Sequence, residues 1–498
     1  MSEDLLKTGQ TRIFTIEDGA SPARSPEYQG RARADTASWS QGTVTPIRAP
    51  SRSRYTEFDD LDEVITDRGR PEMQVVFRSR LDFSEMLRIV RKGCPLDIQM
   101  HAGDCTQPTD FNSFEFVRIL EDARPTNWGT GAMGALDSSE SAAVDETVPF
   151  SGRDLYDVKR IAPAAIASSE VVQEIVAVAI CDSKTCGACG VASDGTKRFF
   201  GLTLSAGGSP GLAAEVIYTE DGGTTFGDTN VSTLAANEDP DDMTCVGTRL
   251  VVVSEDSTSL HHALIEDILD GTETWAEVTT GFVAVKGPRA IFSLGATKTW
   301  IAGKAGYVYF SDDITSEVEV QDAGVATVQD LNDIHGYDEQ NLVIVGASNV
   351  VLLTTNGGTT WTLKTGPAVG VVLNCVWMKS KTEWLVGTAN GKLYYTTDSG
   401  DNWTEKTFSG SGAGQVREIS FATKSVGYMA HDTATPVGRI FRTIDGGNSW
   451  YALPEDTGIS MTAVDRFNAL AATVDDPNFV VAGGLNDNAT DGVMVKLS

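Results

Sequence analysis

Histidine is scarce in this chain and cysteine is thin: five and seven residues in 498. Seven cysteines, an odd number spread along the chain, do not describe a disulfide framework. No apolar run approaches the roughly 18 residues that a membrane-crossing helix needs. Met1-Ser-Glu-Asp-Leu-Leu-Lys7 lacks the basic head and apolar stretch of a signal peptide, so synthesis in the cytosol is expected. P-loop, GxSxG, HExxH and EF-hand patterns are missing. Basic residues are outnumbered, 39 Lys and Arg against 69 Asp and Glu, and the resulting −30 disfavours non-specific nucleic-acid binding. The 41% hydrophobic content is that of a chain with a real core.

What is present is a repeated turn: an acid or Asn, then Gly or Ser, then Gly, closing on an aromatic five residues on. Good copies read Asp221-Gly-Gly-Thr-Thr-Phe226, Asn356-Gly-Gly-Thr-Thr-Trp361, Asp398-Ser-Gly-Asp-Asn-Trp403 and Asp445-Gly-Gly-Asn-Ser-Trp450. Asp270-Gly-Thr-Glu-Thr-Trp275 is a weaker copy and Asp313–Val318 a decayed one. The first residues are spaced by 49, 43, 43, 42 and 47, a period that fits four-stranded propeller blades. Before each turn lie two short runs rich in Val, Ile and aromatics, as in residues 341–353 and 384–395, which suit hairpin strands better than helices. Gly supplies positive φ, and the Asp or Asn can accept hydrogen bonds from amides just ahead and lock the turn. The aromatic would fill the space between neighbouring blades.

These boxes resemble the Asp-box, or BNR, repeats of bacterial propellers, and most closely the subgroup of photosystem II assembly factors of the Ycf48 type, through the pattern Val426-Gly-Tyr-Met and Gly438-Arg-Ile-Phe-Arg-Thr-Ile-Asp-Gly-Gly-Asn-Ser-Trp450. The resemblance implies a seven-bladed propeller over residues 166–498. A seventh hairpin, residues 479–484 and 492–497, ends one strand short, so a segment at about 155–167 is expected to supply the missing outer strand.

The front of the chain differs. Residues 1–55 hold eight Lys or Arg and six Asp or Glu, a local +2, with four prolines, the composition of an extended arm without a core of its own. Residues 1–70 read as arm plus acidic linker, Glu57-Phe-Asp-Asp-Leu-Asp-Glu63 being the acidic run. Residues 71–165 read as a compact β domain with strands near 75–77, 96–100, 114–120, 144–150 and 155–161. One short helix is expected from Asp82 through Val90, and a long Gly- and Ser-rich excursion at 127–140. This succession resembles tail proteins of tailed bacteriophages, most of all the tube-forming kind, as a β-sandwich or barrel.

Candidate chemistry is meagre. Cys181, Cys186 and Cys189 have the spacing of three plant-type ferredoxin ligands but no evident fourth, and a loop disulfide or free thiols compete with a metal. His261-His262 are adjacent in a strand, so they face opposite sides and cannot easily share an ion; one surface and one interior position are expected. Sialidases also carry Asp-box propellers, but only seven arginines occur from residue 197 on, none in the Arg-Ile-Pro context that the family's first arginine occupies. No catalytic residue, cofactor or enzyme activity is expected. The box residues Asp221, Phe226, Asp270, Trp275, Asn356, Trp361, Asp398, Trp403, Asp445 and Trp450 are read as structural.

The favoured function is a structural virion protein of a phage tail, made in the host cytoplasm and located in the virion. Its partners would be copies of itself and other tail proteins, and the propeller would be displayed for weak adhesion to a glycan or host receptor. The alternative is a cellular protein-binding assembly factor of the Ycf48 kind, gripping one partner through a basic ridge; the acidic propeller and missing export signal or lipobox speak against it.

Overall fold

The computed structural model describes residues 12–17, 27–31, 38–40, 45–47, 65–67, 72–77, 96–103, 114–125 and 146–159 of a first compact unit, Met1–Arg160. In the second unit, Ile161–Ser498, it describes residues 164–165, 173–181, 197–204, 213–235, 238–432, 438–453, 466–474, 476–486 and 491–497. The expected helix at 82–90, the excursion at 127–140, the acidic run at 57–63, and Cys186 and Cys189 lie outside the described residues.

The first unit is built on an eight-stranded antiparallel sheet. Its path runs Glu27–Arg31, Arg12–Glu17, Leu96–Gly103, Phe114–Pro125, Glu146–Ser151, Glu72–Phe77 and Ser38–Ser40, with Asp154–Lys159 also pairing with Phe114–Pro125. Ile98, Met100, Val117, Ile119, Leu120, Phe150 and Val158 are buried in it. The front of the chain is therefore not simply an arm: Arg12–Glu17 pairs in register with Leu96–Gly103, from Arg12 opposite His101 to Glu17 opposite Leu96. The physical reason is that a segment too short to bury anything alone can still complete the hydrogen bonding of an existing strand edge.

The second unit contains, among the described residues, seven four-stranded antiparallel sheets. Their innermost strands are Ile175–Ile180, Asp242–Val246, Pro288–Leu294, Leu331–Gly336, Leu373–Met378, Val416–Phe421 and Arg466–Ala472. Each innermost strand adjoins the next, and the last adjoins the first, so the sheets close a ring. Six sheets follow chain order from inside to outside. The seventh runs Arg466–Ala472, Val480–Asn486, Asp491–Leu497 and then Ala164–Ala165, with Ala164 opposite Lys496 and Ala165 opposite Val495.

Apolar side chains on both faces of each sheet make the core, because every sheet is covered by two neighbours. Trp361 packs in a cluster with Trp300, Ala302 and Val308 of the preceding sheet, and Trp275 joins a cluster spanning the first two sheets. Phe226 packs with Phe199, whose ring also meets Phe479 of the seventh sheet at 5.8 Å. Trp403 lies against Trp384 and donates its indole N–H to the Thr365 carbonyl of the sheet before it at 2.9 Å.

Candidate functional site

Strands alternate in direction within each antiparallel sheet, so the ring has two distinct faces. One carries the turns from third to fourth strand, where the boxes sit. The other carries the connections from each outermost strand to the next innermost strand, and the turns from second to third strand.

On the first face, four boxes share one lock. A threonine two residues ahead of the box, Thr219, Thr354, Thr396 or Thr443, donates its hydroxyl to the box carboxylate or amide oxygen at 2.8–2.9 Å. The same hydroxyl accepts the N–H of Gly223, Gly358, Gly400 or Gly447. The box oxygen in turn accepts the amide four residues on, at Thr225, Thr360, Asn402 or Ser449. Burial opposes the Asp221 anion, but hydrogen bonds from Thr225, Thr219 and Thr224 outweigh it and hold that carboxyl down at about 2. At Asp445 burial wins and its carboxyl is raised.

Asp270 does not take part in such a lock. It ends a helix, Ile265–Asp270, which Gly271 caps at φ 66° by donating to the Ile268 carbonyl. The residue two ahead of it is Ile268, which has no hydroxyl to give. In the decayed copy Asp313 accepts the N–H and hydroxyl of Thr315, and Ile314 and Val318 are buried. Both His261 and His262 are buried, which corrects the expectation of one surface position; each face of their strand meets a neighbouring sheet. Thr233 and Ser259 bond His261, and Arg249 lies 3.1 Å from His262. Cys181 is buried.

The ring encloses an axial cavity of about 290 Å³. Its upper wall repeats one device. Most innermost strands bulge at a polar residue near their start, and three of these asparagines reach the next sheet: Asn332 donates to the Leu373 carbonyl, Asn374 to that of Val416 and Asn468 to that of Ile175, each at 2.9 Å. Just below, Asp242 accepts the Ile291 amide at 2.9 Å and Asp333 the Val376 amide at 2.6 Å, again from the next sheet. A third tier has His335 accepting from the Met378 amide and Ser420 from that of Ala472.

Four carboxylates thus line the cavity: Asp241 accepts the Glu255 amide at 2.6 Å and feels the Arg289 charge, while Asp242, Asp333 and Glu418 meet, among the described residues, backbone amides rather than basic side chains. Burial pushes Asp242 up to about 7 and Asp333 up to about 6. It lifts Glu418 well above the ordinary range, with the Asp333 charge adding to the effect. Basic groups at the rim are engaged elsewhere: Arg289 with Glu255 at 3.0 Å, Arg417 with Asp432 at 2.6 Å, and Arg466 with Glu174 at 2.5 Å. No grouping of three or more His, Cys, Asp or Glu able to hold a metal occurs among the described residues.

The same face carries the chain's clearest apolar exposure. Val283 and Val285, Val325 and Val328, and Val369 and Val372 lie on three consecutive sheet-to-sheet connections, and they make up six of the ten exposed large hydrophobics among the described residues. Val325 is 88% exposed and Val369 99%.

Residues 316–472 match the family model for the photosynthesis system II assembly factor YCF48. Over those residues, about a third of its length, the chain is similar to that family. The photosystem II assembly lipoprotein Ycf48 of Synechococcus sp. (strain CC9902) is 28% identical over 127 residues, 25% of this chain and 37% of that protein. The chloroplastic photosystem II stability/assembly factor HCF136 of Oryza sativa subsp. japonica is 27% identical over 125 residues, 24% of this chain and 29% of that protein. The chain therefore matches about a third of the length of these curated relatives. Among solved structures, YCF48 from Cyanidioschyzon merolae aligns with 13% identity and a TM-score of 0.48, over 68% of this chain and 98% of that one. A YCF48 bound to D1 peptide gives the same identity and score, over 68% and 97%. U3-55K aligns at 11% identity and TM-score 0.50, over 68% and 98%, a likeness of fold alone.

These matches overturn the virion reading. The relatives are named as assembly factors, one a lipoprotein and one chloroplastic. Tail-tube identity, tail-protein partners, self-assembly into a tube and location in a virion are not retained. The source of the error is that an arm followed by a sheet with one helix and a long loop is a common succession, whereas the box and its flanking strands form a specific motif. Sequence reasoning also missed the mouth carboxylates. Their signal was a polar residue recurring at the start of the innermost strands, in Asp241-Asp242, Asn332-Asp333, Asn374, Arg417-Glu418 and Asn468.

Proposed function

We propose that this chain is a protein-binding assembly factor of the Ycf48 and HCF136 kind, in which a seven-bladed Asp-box propeller, sealed by the strand at Ala164–Ala165, grips a partner protein through the face bearing the valine connections. The observation that carries it is the concentration of exposed valines on three neighbouring connections of one face. Scattered exposed valines are ordinary, but contiguous ones mark an interaction surface. The similarity of residues 316–472 to assembly factors supports the same reading. The role is binding rather than catalysis, the boxes acting as turn locks on the opposite face. Because the named relatives act in photosystem II assembly, a subunit of that complex is the first partner to test. The face differs from a basic ridge, its mouth being acidic.

The test is photo-crosslinking in the cell of origin. A crosslinking amino acid at Val369 is expected to trap a protein, and the same group at Thr359 on the box face is not. Equal capture from both faces, or none from Val369, would refute the reading.

A further inference from the structure

The valine connections are held firmly. Asn349 donates its N–H to the Val371 carbonyl at 2.7 Å and Ala389 to that of Val372 at 3.0 Å; Ala305 donates to the Asp330 carboxylate at 2.8 Å, and Lys304 to the Gly287 carbonyl at 3.0 Å. Each connection is thereby bonded to a second-to-third-strand turn of its own face, so the valines are presented on a fixed backbone. A partner ordering itself there would not have to order the loops as well. The next connection, Thr407-Phe-Ser-Gly-Ser-Gly-Ala-Gly-Gln415, adds no exposed large hydrophobic, which makes the valines a bounded ridge.

Beside this ridge opens the cavity whose Asp242, Asp333 and Glu418 carboxylates touch amides and no basic side chain among the described residues, while Arg289, Arg417 and Arg466 are each paired with another acid. These three carboxyls lack a basic partner among the described residues of the ring, and burial disfavours their anions; a Lys or Arg side chain would supply the missing partner and favour the ionised form. A cation entering the mouth gains, and an acidic group does not.

We propose that this face takes an extended cationic-aliphatic peptide segment of a partner protein, with a Lys or Arg side chain directed into the carboxylate-lined mouth and flanking Val, Leu or Ile side chains laid over Val285, Val325, Val328 and Val369. The proposal rests on the protein-binding reading above and specifies the chemistry of the partner. It is opposite in polarity to a basic ridge gripping an acidic segment.

The experiment is selection of displayed random peptides of about a dozen residues on the immobilised full chain, followed by fluorescence anisotropy with the winning sequences. Enrichment of Lys or Arg flanked by aliphatic residues is the expected result. The Val285→Asp, Val325→Asp, Val369→Asp triple variant changes only exposed side chains and is expected to weaken binding by about tenfold or more. The Asp333→Asn, Glu418→Gln variant is expected to lose the preference for a cation while keeping the aliphatic contribution, a readout that simple unfolding would not give. An unchanged urea midpoint for the triple variant shows that its fold is intact.

Enrichment of acidic peptides that still depend on the valines would overturn this inference and leave the protein-binding reading standing. No valine-dependent enrichment would overturn both. Dimers in mass photometry that vanish in the triple variant would assign the ridge to a second copy and likewise overturn the proposal.

Discussion

Replacing Asp242 by Asn is expected to change stability with opposite signs at acid and at alkaline pH. The carboxyl sits at about 7 against an ordinary value of 3.8, because burial disfavours its anion and the nearby Asp333 charge adds to that, outweighing the Ile291 and Met243 amides that favour it. Between about pH 4 and pH 7 the folded chain holds a proton that the unfolded chain has released. Stability from this group is thus complete below the unfolded value and is lost as pH rises through the folded one. At roughly 1.4 kcal/mol per pH unit the full loss by pH 8 is about 4 kcal/mol, and water in the cavity reduces it to roughly 2 to 4 kcal/mol. Asparagine carries no charge but keeps one acceptor oxygen for two amides, a cost of about 1 kcal/mol. The variant should therefore be less stable than the parent by up to about 1 kcal/mol at pH 4, close to it at pH 5, and more stable by about 1 to 3 kcal/mol at pH 8. Urea unfolding followed by tryptophan fluorescence at pH 4, 5, 6, 7 and 8 measures both. A constant difference across that range, or a variant weaker than the parent at pH 8, would refute the account of the mouth carboxylates.

Other perturbations test the ring. Trp361→Ala should cost about 3 to 5 kcal/mol, read as a lowered Tm, because Trp361 is 8% exposed and fills an inter-sheet cluster; a loss under about 1 kcal/mol would show the cluster collapsing around it. Ser399 holds φ 59° where other boxes have Gly, so Ser399→Gly should stabilise by about 0.5 to 1 kcal/mol in urea titrations, and destabilisation would contradict the strain argument. Thr443→Val leaves a buried Asp445 oxygen and the Gly447 amide without their shared hydroxyl and should cost about 2 to 3 kcal/mol. The matching Thr219→Val at the more exposed Asp221 box should cost about 1 kcal/mol, and the reverse order would show that burial does not govern the lock.

The repeat was readable in the sequence because the lock is local: a hydroxyl, an acid or Asn two residues later, and a glycine whose backbone needs positive φ all lie within five residues. Asp270 shows where that reading slipped, since the absent hydroxyl at Ile268 marked a helix end instead. The strand Arg12–Glu17 was hidden by a Pro- and Arg-rich context that resembles an uncommitted arm, one of its two partners lying some eighty residues on at Leu96–Gly103. The valine ridge was not legible at all. Val283-Ala-Val285 reads as strand material, and only the ring shows that three such segments stand side by side in solvent. Asp333 and Glu418 likewise acquire their meaning from the next sheet's innermost strand and the cavity they share, which composition does not encode.

Hydrogen exchange of the full chain, free and bound to the partner that Val369 crosslinks, tests the central claim most directly. Protection should appear at residues 279–287, 323–330 and 366–372 and be absent from the box turns at 221–226, 356–361, 398–403 and 445–450. Protection confined to the box turns, or spread equally over both faces, would contradict a propeller that holds its partner by the valine-rimmed mouth.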